Sequence, residues 1–344
     1  MTIPPFAPGP RNLISDVPGI LVGQAEDHAV RSGVTVIVPQ DRAIAAVDVR
    51  GGGPGTRETD ALSADCLVDA LDAVVLSGGS VYGLDAASGV TAWLGARGRG
   101  FSFQSTQLVA PIVPQAILFD LTNGGDKSWG ETPPYRQLGI DAVAAAGAEF
   151  SLGNAGAGLG ARAGALKGGL GSASAMAPGG FCVGAIAASN PFGSTVMPGS
   201  GRFWAAPFEK NDELGGQSRV PAPDRLPDDP YTDSKLGASP GMNTTISVVA
   251  TDAALTPIET KRVAMMAQDG YARAVRPIHT PFDGDVVFAL ATGTCPLPED
   301  QPRPAIVAML GALAADVVAR AIARGVYEAK TLGDAQSYRD TFGD

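Results

Sequence analysis

A run of β-branched residues that begins after Asn243 contains a candidate nucleophile. From Thr244 to Asp252 polar and apolar side chains alternate, which is typical of a half-buried strand. If the chain were cut between Asn243 and Thr244, Thr244 would carry both a hydroxyl and a free α-amino group. The reference pKa of an α-amino group, about 7.7–8.0, suits a general base near neutral pH. The segment therefore permits a self-processed N-terminal nucleophile, although two threonines could also simply begin a strand.

The residues upstream of this strand predict a loop in which a cut would do little damage. Residues 209–241 are rich in Pro, Asp and Gly, and are too polar and too often interrupted by turn-forming residues to pack. Cleavage of such a loop leaves the packed elements unchanged. We therefore expect the chain to reach Asn243 from a flexible loop.

Two carboxylates form a second candidate feature. Asp283 and Asp285 flank Gly284, and in an extended conformation both side chains would lie on one face, roughly 6.6 Å apart along the strand. In that arrangement they could orient and activate a nucleophile between them. Asp-Gly is also a favoured turn pair, so a purely structural turn is the alternative.

Lys167 and Tyr82 each lie in a context that permits a role in a site. Lys167 falls within the glycine-dense residues 153–171, where a lysine is either solvated at the surface or partly buried with a lowered pKa. Tyr82 falls in the first turn of a helix predicted over residues 81–95, after a strand over 73–76 and a glycine turn. Backbone N–H groups there can face a ligand, although an aromatic residue there could instead pack in the core.

The composition excludes several classes of protein. The chain has 344 residues, of which 45% are hydrophobic and 17% charged, so it is not disordered. A net charge of −10 argues against a nucleic-acid groove, which needs clustered Lys and Arg. The three cysteines are scattered and odd in number, which indicates a reducing compartment and no disulfide framework.

We expect neither a cofactor nor a metal nor a membrane partner. The two histidines, His28 and His279, form no zinc motif, and residues 156–161 fit a dinucleotide-binding loop only loosely because no strand precedes them. The N-terminus lacks a basic region followed by an apolar core, and no apolar run approaches the roughly 20 residues that span a bilayer. The expected location is the cytoplasm.

The elements that position these residues mix strands and helices. The hydrophobic pattern predicts a hairpin of strands 33–39 and 44–49, a helix over 134–150, and a buried strand over 181–188 that ends at Asn190. The order predicted from Thr244 onward is strand, helix, strand, helix.

Three elements are predicted beyond the Thr244 strand. Thr256 and Glu259 have the spacing of a capping box, with Pro257 at the first helical position, so a helix should begin there and run to about Val275. A strand over 286–291 and an apolar helix over 304–325 follow.

Together these motifs resemble the self-processing L-aminopeptidase/D-esterase (DmpA) family. The matching residues are 243–247 (NTTIS), 277–285 (PIHTPFDGD), 76–80 (LSGGS) and 82–84 (YGL). The likeness extends from about Asp16 to Arg324 and is closer to the Thr-nucleophile branch, which includes the 6-aminohexanoate-oligomer hydrolases. The β-aminopeptidase branch has a Ser nucleophile and Ser/Glu at the paired positions, and this chain departs from it there.

The resemblance implies an αββα four-layer sandwich similar to N-terminal-nucleophile hydrolases, with different connectivity. It also implies self-cleavage into fragments 1–243 and 244–344, which commonly assemble as a tetramer of processed heterodimers. The roles it implies are the nucleophile for Thr244, catalytic carboxylates for Asp283 and Asp285, a catalytic lysine for Lys167, a polar stabiliser for Asn190 and a substrate-side tyrosine for Tyr82.

The activity implied by the resemblance is hydrolysis of short peptides, amides or ω-amino-acid oligomers that carry a free amine. Two alternatives stay open. One is a self-cleaving acyltransferase of the ornithine acetyltransferase type, whose members cleave at Ala-Thr, whereas this chain has Asn243. The other is a non-catalytic small-molecule binding protein, which would leave the chain intact.

Overall fold

Two β-sheets packed face to face lie at the centre of the protein. The computed structural model describes residues 6–68, 70–219, 221–235 and 243–343. In chain order the strands are β1 (Ile20–Asp27), β2 (Ser32–Pro39), β3 (Ala43–Val49), β4 (Thr56–Arg57), β5 (Ala70–Leu71), β6 (Val74–Ser77), β7 (Phe101–Ser102), β8 (Val109–Ala110), β9 (Gln115–Ile117), β10 (Arg162–Ala163), β11 (Leu166–Lys167), β12 (Gly169–Met176), β13 (Cys182–Asn190), β14 (Thr244–Ala253) and β15 (Val286–Cys295). The helices are α1 (Asp85–Gly95), α2 (Tyr135–Ala144), α3 (Pro257–Ala267), α4 (Asp269–Ala274), α5 (Arg303–Tyr327) and α6 (Tyr338–Phe342).

The sheets and helices form four layers. One sheet has the order β1-β2-β6-β9-β4, and the other has the order β12-β13-β14-β15-β3-β5. Helices α1 and α2 cover the outer face of the first sheet, whereas α3, α4 and α5 cover the outer face of the second. Apolar side chains from both sheets fill the space between them. The predicted αββα sandwich is therefore confirmed.

Strand β14 lies in the middle of the six-stranded sheet, and its two faces meet different layers. Ile246, Val248 and Ala250 belong to the core between the sheets, whereas Val249 packs in the core against the helices. Because side chains alternate along a strand, Thr244 faces the inter-sheet layer and Thr245 faces the helices. β14 is antiparallel to β13 and parallel to β15.

The predicted hairpin of strands 33–39 and 44–49 was wrong. β2 pairs with β1 and β6, whereas β3 pairs with β15 and β5 in the other sheet. All eight residues of β2 are buried, so this strand needs a neighbour on each side. The three residues 40–42 carry the chain from one sheet to the other, and period-2 alternation alone does not tell which strands become partners.

The two helices predicted before Thr244 are present, but their bounds differ from the predicted ones. The helix expected over 81–95 begins as a 3-10 turn at Ser80–Leu84 and continues as α1. The helix expected over 134–150 ends at Ala144, because Gly147 forms a bridge to Val22 of β1.

Beyond Thr244 the predicted order of strand, helix, strand and helix is confirmed, with the helix expected to run to Val275 divided into α3 and α4. The Thr256–Glu259 capping box is present, since each side chain accepts the other residue's backbone N–H.

Helix α5 corrects the expectation that no apolar run is long enough to span a bilayer. Its 25 residues are long and apolar enough to do so by composition. Most of the helix is buried inside the protein, where Val317, Val318 and Ala321 pack in the core beside β12 and β13. A core helix of a folded domain has the same composition.

The expected loop over 209–241 packs against the protein in its first part. Glu209 accepts hydrogen bonds from the backbone N–H groups of Leu214, Gly216 and Ser218. Glu213 forms an ion pair with Arg320 of α5 at 2.5 Å, and both side chains are buried. These two carboxylates hold the turn-rich segment in place, Glu209 by accepting backbone hydrogen bonds within it and Glu213 by its ion pair with α5. The end of the predicted loop, residues 236–241, lies outside the described residues.

Removing the buried carboxylate should destabilise the fold. In Glu213→Ala the guanidinium of Arg320 would remain buried without its carboxylate, so we expect the free energy of unfolding to fall by about 3–5 kcal/mol. Asp212→Asn is the control, because the Asp212–Arg219 ion pair is exposed and asparagine tolerates the positive φ of residue 212. Denaturant unfolding measures both, and equal stability of the two variants would contradict the assignment.

Candidate active site

Thr244 begins β14 directly opposite Asn190 of β13. It is only 2% exposed, and its hydroxyl donates a hydrogen bond to the carbonyl oxygen of Asn243. The backbone N–H of Gly284 donates to the same oxygen at 2.9 Å. The carbonyl that precedes Thr244 therefore has both a hydroxyl and an N–H donor directed at it.

Gly284 must be a glycine for this approach. A Cβ atom at this position would lie 2.7 Å from Thr244 Oγ1 and 2.7 Å from the carbonyl oxygen of Gly53. Both distances are far below normal contact, so a side chain would push the 283–285 segment away from β14. The residue between the two aspartates thus sets their distance from Thr244.

Asp283 is held by hydrogen bonds on both carboxylate oxygens. Oδ1 accepts the Phe192 N–H at 2.9 Å, and Oδ2 accepts the Thr280 N–H at 3.0 Å and the Thr280 hydroxyl at 2.6 Å. Burial raises the pKa of Asp283, the neighbouring Asp285 carboxylate raises it further, and the bonds from Thr280 and Phe192 oppose the rise. Asp283 also forms a parallel bridge with Asn243.

Asp285 ties the start of β14 to the residues that precede β15. Its Oδ1 accepts the Thr245 N–H at 2.8 Å, and its Oδ2 lies 2.9 Å from Nδ1 of His279. Both aspartates are completely buried, and the segment through Gly284 is extended rather than folded into a turn centred on Asp-Gly. The extended arrangement is therefore the one that the protein adopts.

Asn190 connects the site to three other segments. Its Oδ1 accepts the Arg162 N–H at 2.9 Å and the Lys235 ammonium at 3.1 Å, and its Nδ2 donates to the carbonyl oxygen of Phe119 at 3.1 Å. Because β13 is fully buried and Asn190 lies opposite Thr244, this amide faces the inter-sheet layer together with the candidate nucleophile.

Lys167 is buried, which settles the choice between a solvated and an enclosed lysine. Its ammonium donates to the carbonyl oxygens of Gly158 at 3.0 Å and Gly168 at 2.7 Å. Burial lowers its pKa to about 7, which the charge of Asp120 partly opposes. Gly168 packs against the carbonyl of Ser189, so Lys167 lies beside the strand end that carries Asn190.

Tyr82 lies apart from this buried cluster. It is 47% exposed on the 3-10 turn Ser80–Leu84, and its ring contacts Trp129 edge to face at a centroid distance of 5.5 Å. The core-packing alternative was therefore wrong. The residue before this turn connects it indirectly to the site, because the Gly79 N–H donates to Asp120. Asp120 follows Phe119, whose carbonyl oxygen accepts a hydrogen bond from the Asn190 amide.

Three residues of the site have contacts that the sequence did not predict. Gly284 donates to the Asn243 carbonyl, Thr280 binds Asp283, and Lys235 binds Asn190. The spacing between Thr280 and Asp283 is that of a local side-chain turn and could have indicated their contact. Nothing in the sequence marks Lys235, whose partner lies 45 residues away.

Among residues 6–68, 70–219, 221–235 and 243–343, no group of three or more His, Cys, Asp and Glu side chains is arranged to hold a metal ion.

The lowered pKa of Lys167 predicts a pH dependence of stability. The free lysine has a pKa of 10.5, so between about 7 and that value the unfolded chain binds more protons than the folded protein. The free energy of unfolding should therefore rise with pH over this interval. In Lys167→Met this contribution is absent, and Tm should rise less steeply from about pH 7 to 8.5. The exposed Lys330→Met variant should keep the parental slope, and equal slopes in all three proteins would contradict the prediction.

Comparison with known proteins places this chain in a family. The sequence model of peptidase family S58 matches residues 12–339. An uncharacterised aminopeptidase of Mycobacterium tuberculosis is 44% identical over 347 aligned residues, which cover 96% of this chain and 98% of that protein. A 6-aminohexanoate-oligomer endohydrolase of a Kocuria species is 30% identical over 328 residues, covering 92% of this chain and 86% of that protein.

Solved structures show the same fold. A β-aminopeptidase of a Burkholderia species superposes with a TM-score of 0.68 at 23% identity, over 98% of this chain and 94% of that one. The L-aminopeptidase D-Ala-esterase/amidase of Ochrobactrum anthropi, a variant of the Ntn-hydrolase fold, gives a TM-score of 0.65 at 21% identity, over 96% and 89%. With the family match over most of its length, the chain belongs to peptidase family S58 and is a hydrolase acting on peptide or amide bonds.

Proposed function

We propose that this chain cleaves itself between Asn243 and Thr244 and then hydrolyses amide bonds with Thr244 as an N-terminal nucleophile. The observation that carries the proposal is the environment of the Asn243 carbonyl. The Thr244 hydroxyl contacts its oxygen, and the Gly284 N–H donates to that oxygen at 2.9 Å. An N–H donor on the oxygen that becomes negatively charged during attack stabilises the transition state.

In this proposal self-cleavage begins from these contacts. Thr244 Oγ1 attacks the Asn243 carbonyl carbon and gives up its proton, and the C–N bond to Thr244 breaks as that nitrogen takes up a proton. The product is an ester between Asn243 and Oγ1. Water then hydrolyses the ester, which leaves the carboxylate of Asn243, a free Thr244 hydroxyl and a free α-amino group. We assign the transfer of these protons to Asp283, because it pairs with Asn243 at the scissile bond and burial raises the pKa of its carboxyl.

Hydrolysis of a substrate repeats the same chemistry. The Thr244 α-amino group accepts the hydroxyl proton while Oγ1 attacks the substrate carbonyl, and the leaving amine takes a proton as the acyl-enzyme ester forms. Water then releases the acid and restores Thr244. In this proposal Asp283 and Asp285 orient the nucleophile. Lys167 and Asn190 support the oxyanion by exchanging for it a hydrogen bond that each now donates to a backbone carbonyl oxygen. One oxyanion donor is worth about 2.7–4 kcal/mol, so the loss of either should be measurable.

The proposed substrates are short peptides or linear amides with a free amine. The names of two relatives, an aminopeptidase and a 6-aminohexanoate-oligomer endohydrolase, support this class. A net charge of −10 favours the approach of a cationic amine. Tyr82, exposed beside Trp129, is the proposed substrate-side aromatic residue. We further propose a cytoplasmic enzyme that assembles as a tetramer of processed heterodimers and uses no cofactor.

One labelled substrate tests the reaction. A short amide labelled in its acyl half is incubated with the purified protein, whose cleavage state is read on a denaturing gel, in buffer that contains a large excess of a free amino acid. Transfer of the label to water, as the free acid, is the expected result. Transfer to the added amine would instead identify an acyltransferase, and recovery of the unreacted amide from an intact chain would indicate a binding protein.

A further inference from the structure

Lys235 is the last described residue before Asn243, eight positions upstream (243 − 235 = 8). Its ammonium donates to both the backbone oxygen and Oδ1 of Asn190, each at 3.1 Å. Its backbone N–H donates to the carbonyl oxygen of Phe192 at 3.0 Å. One residue of the upstream segment therefore binds both Asn190 and Phe192, at the end of the strand that faces Thr244.

The residues just before Lys235 are anchored to the same part of the protein. The carbonyl of Asp233 accepts the Ala165 N–H at 3.1 Å. The ring of Tyr231 lies against Phe192 with centroids 5.9 Å apart, and Ser234 is buried. Residues 231–235 are thus fixed in place, so the chain leaves for Asn243 from a defined point beside the site.

The contact with Lys235 fixes the orientation of the Asn190 amide. An ammonium can only donate hydrogen bonds, so the atom of Asn190 that faces Lys235 must be the oxygen. The Arg162 N–H, also a donor, faces that oxygen too. Nδ2 therefore points the other way, toward Phe119. Without Lys235 one of the two donors that define this orientation is lost.

The Lys235 ammonium lies near three charged side chains of the site. Burial of its ammonium lowers the pKa of Lys235 to about 7, and the charges of Arg162 and Lys167 lower it as well, whereas Asp283 raises it. Asp283 also binds the Phe192 N–H, and the Phe192 carbonyl binds Lys235. Lys235 is therefore linked to the Asp283 carboxylate in two ways, by its charge and by the hydrogen bonds that both groups make to Phe192.

We propose that Lys235 is a positioning residue that anchors the chain ahead of the scissile bond and holds the Asn190 amide opposite Thr244. The inference rests on the proposed function. It assigns to the N-terminal fragment a side chain that supports the site both before and after cleavage. Lys235 acts through Asn190 and does not touch the reacting atoms.

The test compares Lys235→Met with Lys210→Met, an exposed lysine in the same upstream region. Misplacement of a supporting group by about 1 Å can reduce a rate by roughly 10²-fold. We expect Lys235→Met to slow precursor cleavage and to lower kcat of the cleaved enzyme by about tenfold or more, with KM changed less than about threefold. Lys210→Met should equal the parent in cleavage, kcat and KM. Melting temperatures are recorded for each protein.

The outcomes separate this inference from the proposed function. If the parent cleaves itself, and Lys235→Met has a cleavage rate and a kcat within about twofold of the parental values, only the role of Lys235 is overturned. If Lys235→Met also loses several degrees in melting temperature, Lys235→Arg, which keeps the charge and the donors, must restore kcat, and failure to do so overturns the inference. A parent that remains intact overturns the proposed function and this inference with it.

Discussion

Replacing Thr244 with alanine should abolish self-cleavage and amide hydrolysis together. The same oxygen is proposed to attack Asn243 in the precursor and the substrate in the cleaved enzyme, so nothing replaces it in either step. We expect both rates to fall by at least about 10³-fold. The melting temperature should change little, because only a hydroxyl and a methyl group are removed. Precursor cleavage on denaturing gels, turnover of a short amide and thermal unfolding measure the three quantities.

Thr245→Ala is the matched control for this prediction. Thr245 lies on the opposite face of β14, and its Oγ1 has no hydrogen-bond partner in the described part of the chain. Its backbone N–H, which binds Asp285, remains in the variant. We therefore expect Thr245→Ala to cleave and turn over within about threefold of the parent. Equal loss of cleavage and turnover in both variants would show that the integrity of β14, and not the Thr244 oxygen, determines the activity.

Asp285→Asn should separate rate from stability. Asparagine has the shape of aspartate, and its oxygen can still accept the Thr245 N–H. Its Nδ2 loses the long 3.2 Å hydrogen bond from the His279 N–H but can donate to His279 Nδ1, so the melting temperature should stay within a few degrees. Loss of the negative charge beside Thr244 should reduce turnover, and slow precursor cleavage, by about 10²-fold or more. Asp283→Asn should have an effect of similar size on the rate, because Asp283 is the carboxylate whose pKa burial raises.

The alternative for the two aspartates predicts a different pattern. If they served only to shape the chain between Thr280 and Val286, both asparagine variants would keep parental turnover, since asparagine tolerates such conformations as well as aspartate does. Near-parental turnover in both would remove Asp283 and Asp285 from the mechanism. Thr244 would then act with its own α-amino group alone.

Local patterns in the sequence predicted the elements that carry the site. The capping box at Thr256, the strand from Thr244 and the buried strand up to Asn190 follow from the side chains of adjacent residues, and each is present. The resemblance supplied the candidate residues Lys167 and Asn190, which local patterns alone did not associate with Thr244. Burial of Lys167, left open by the sequence, depends on segments distant in the chain.

Non-local contacts account for what the sequence could not predict. β2 and β3 are separated by three residues yet join different sheets, because strand partners are decided by which faces become buried together. Glu213 turns a polar segment into a packed one through Arg320, a residue 107 positions away. Lys235 reaches Asn190 in the same manner, and no spacing rule indicates such pairs.

N-terminal sequencing of the fragments separated by denaturing electrophoresis tests the central claim most directly. Self-cleavage before Thr244 predicts two fragments of 243 and 101 residues (344 − 243 = 101), with the shorter one beginning Thr-Thr-Ile-Ser. Thr244→Ala run beside it should give one band of full length. A fully active parent that runs as a single intact chain, or that begins its second fragment at any residue other than Thr244, would contradict the account.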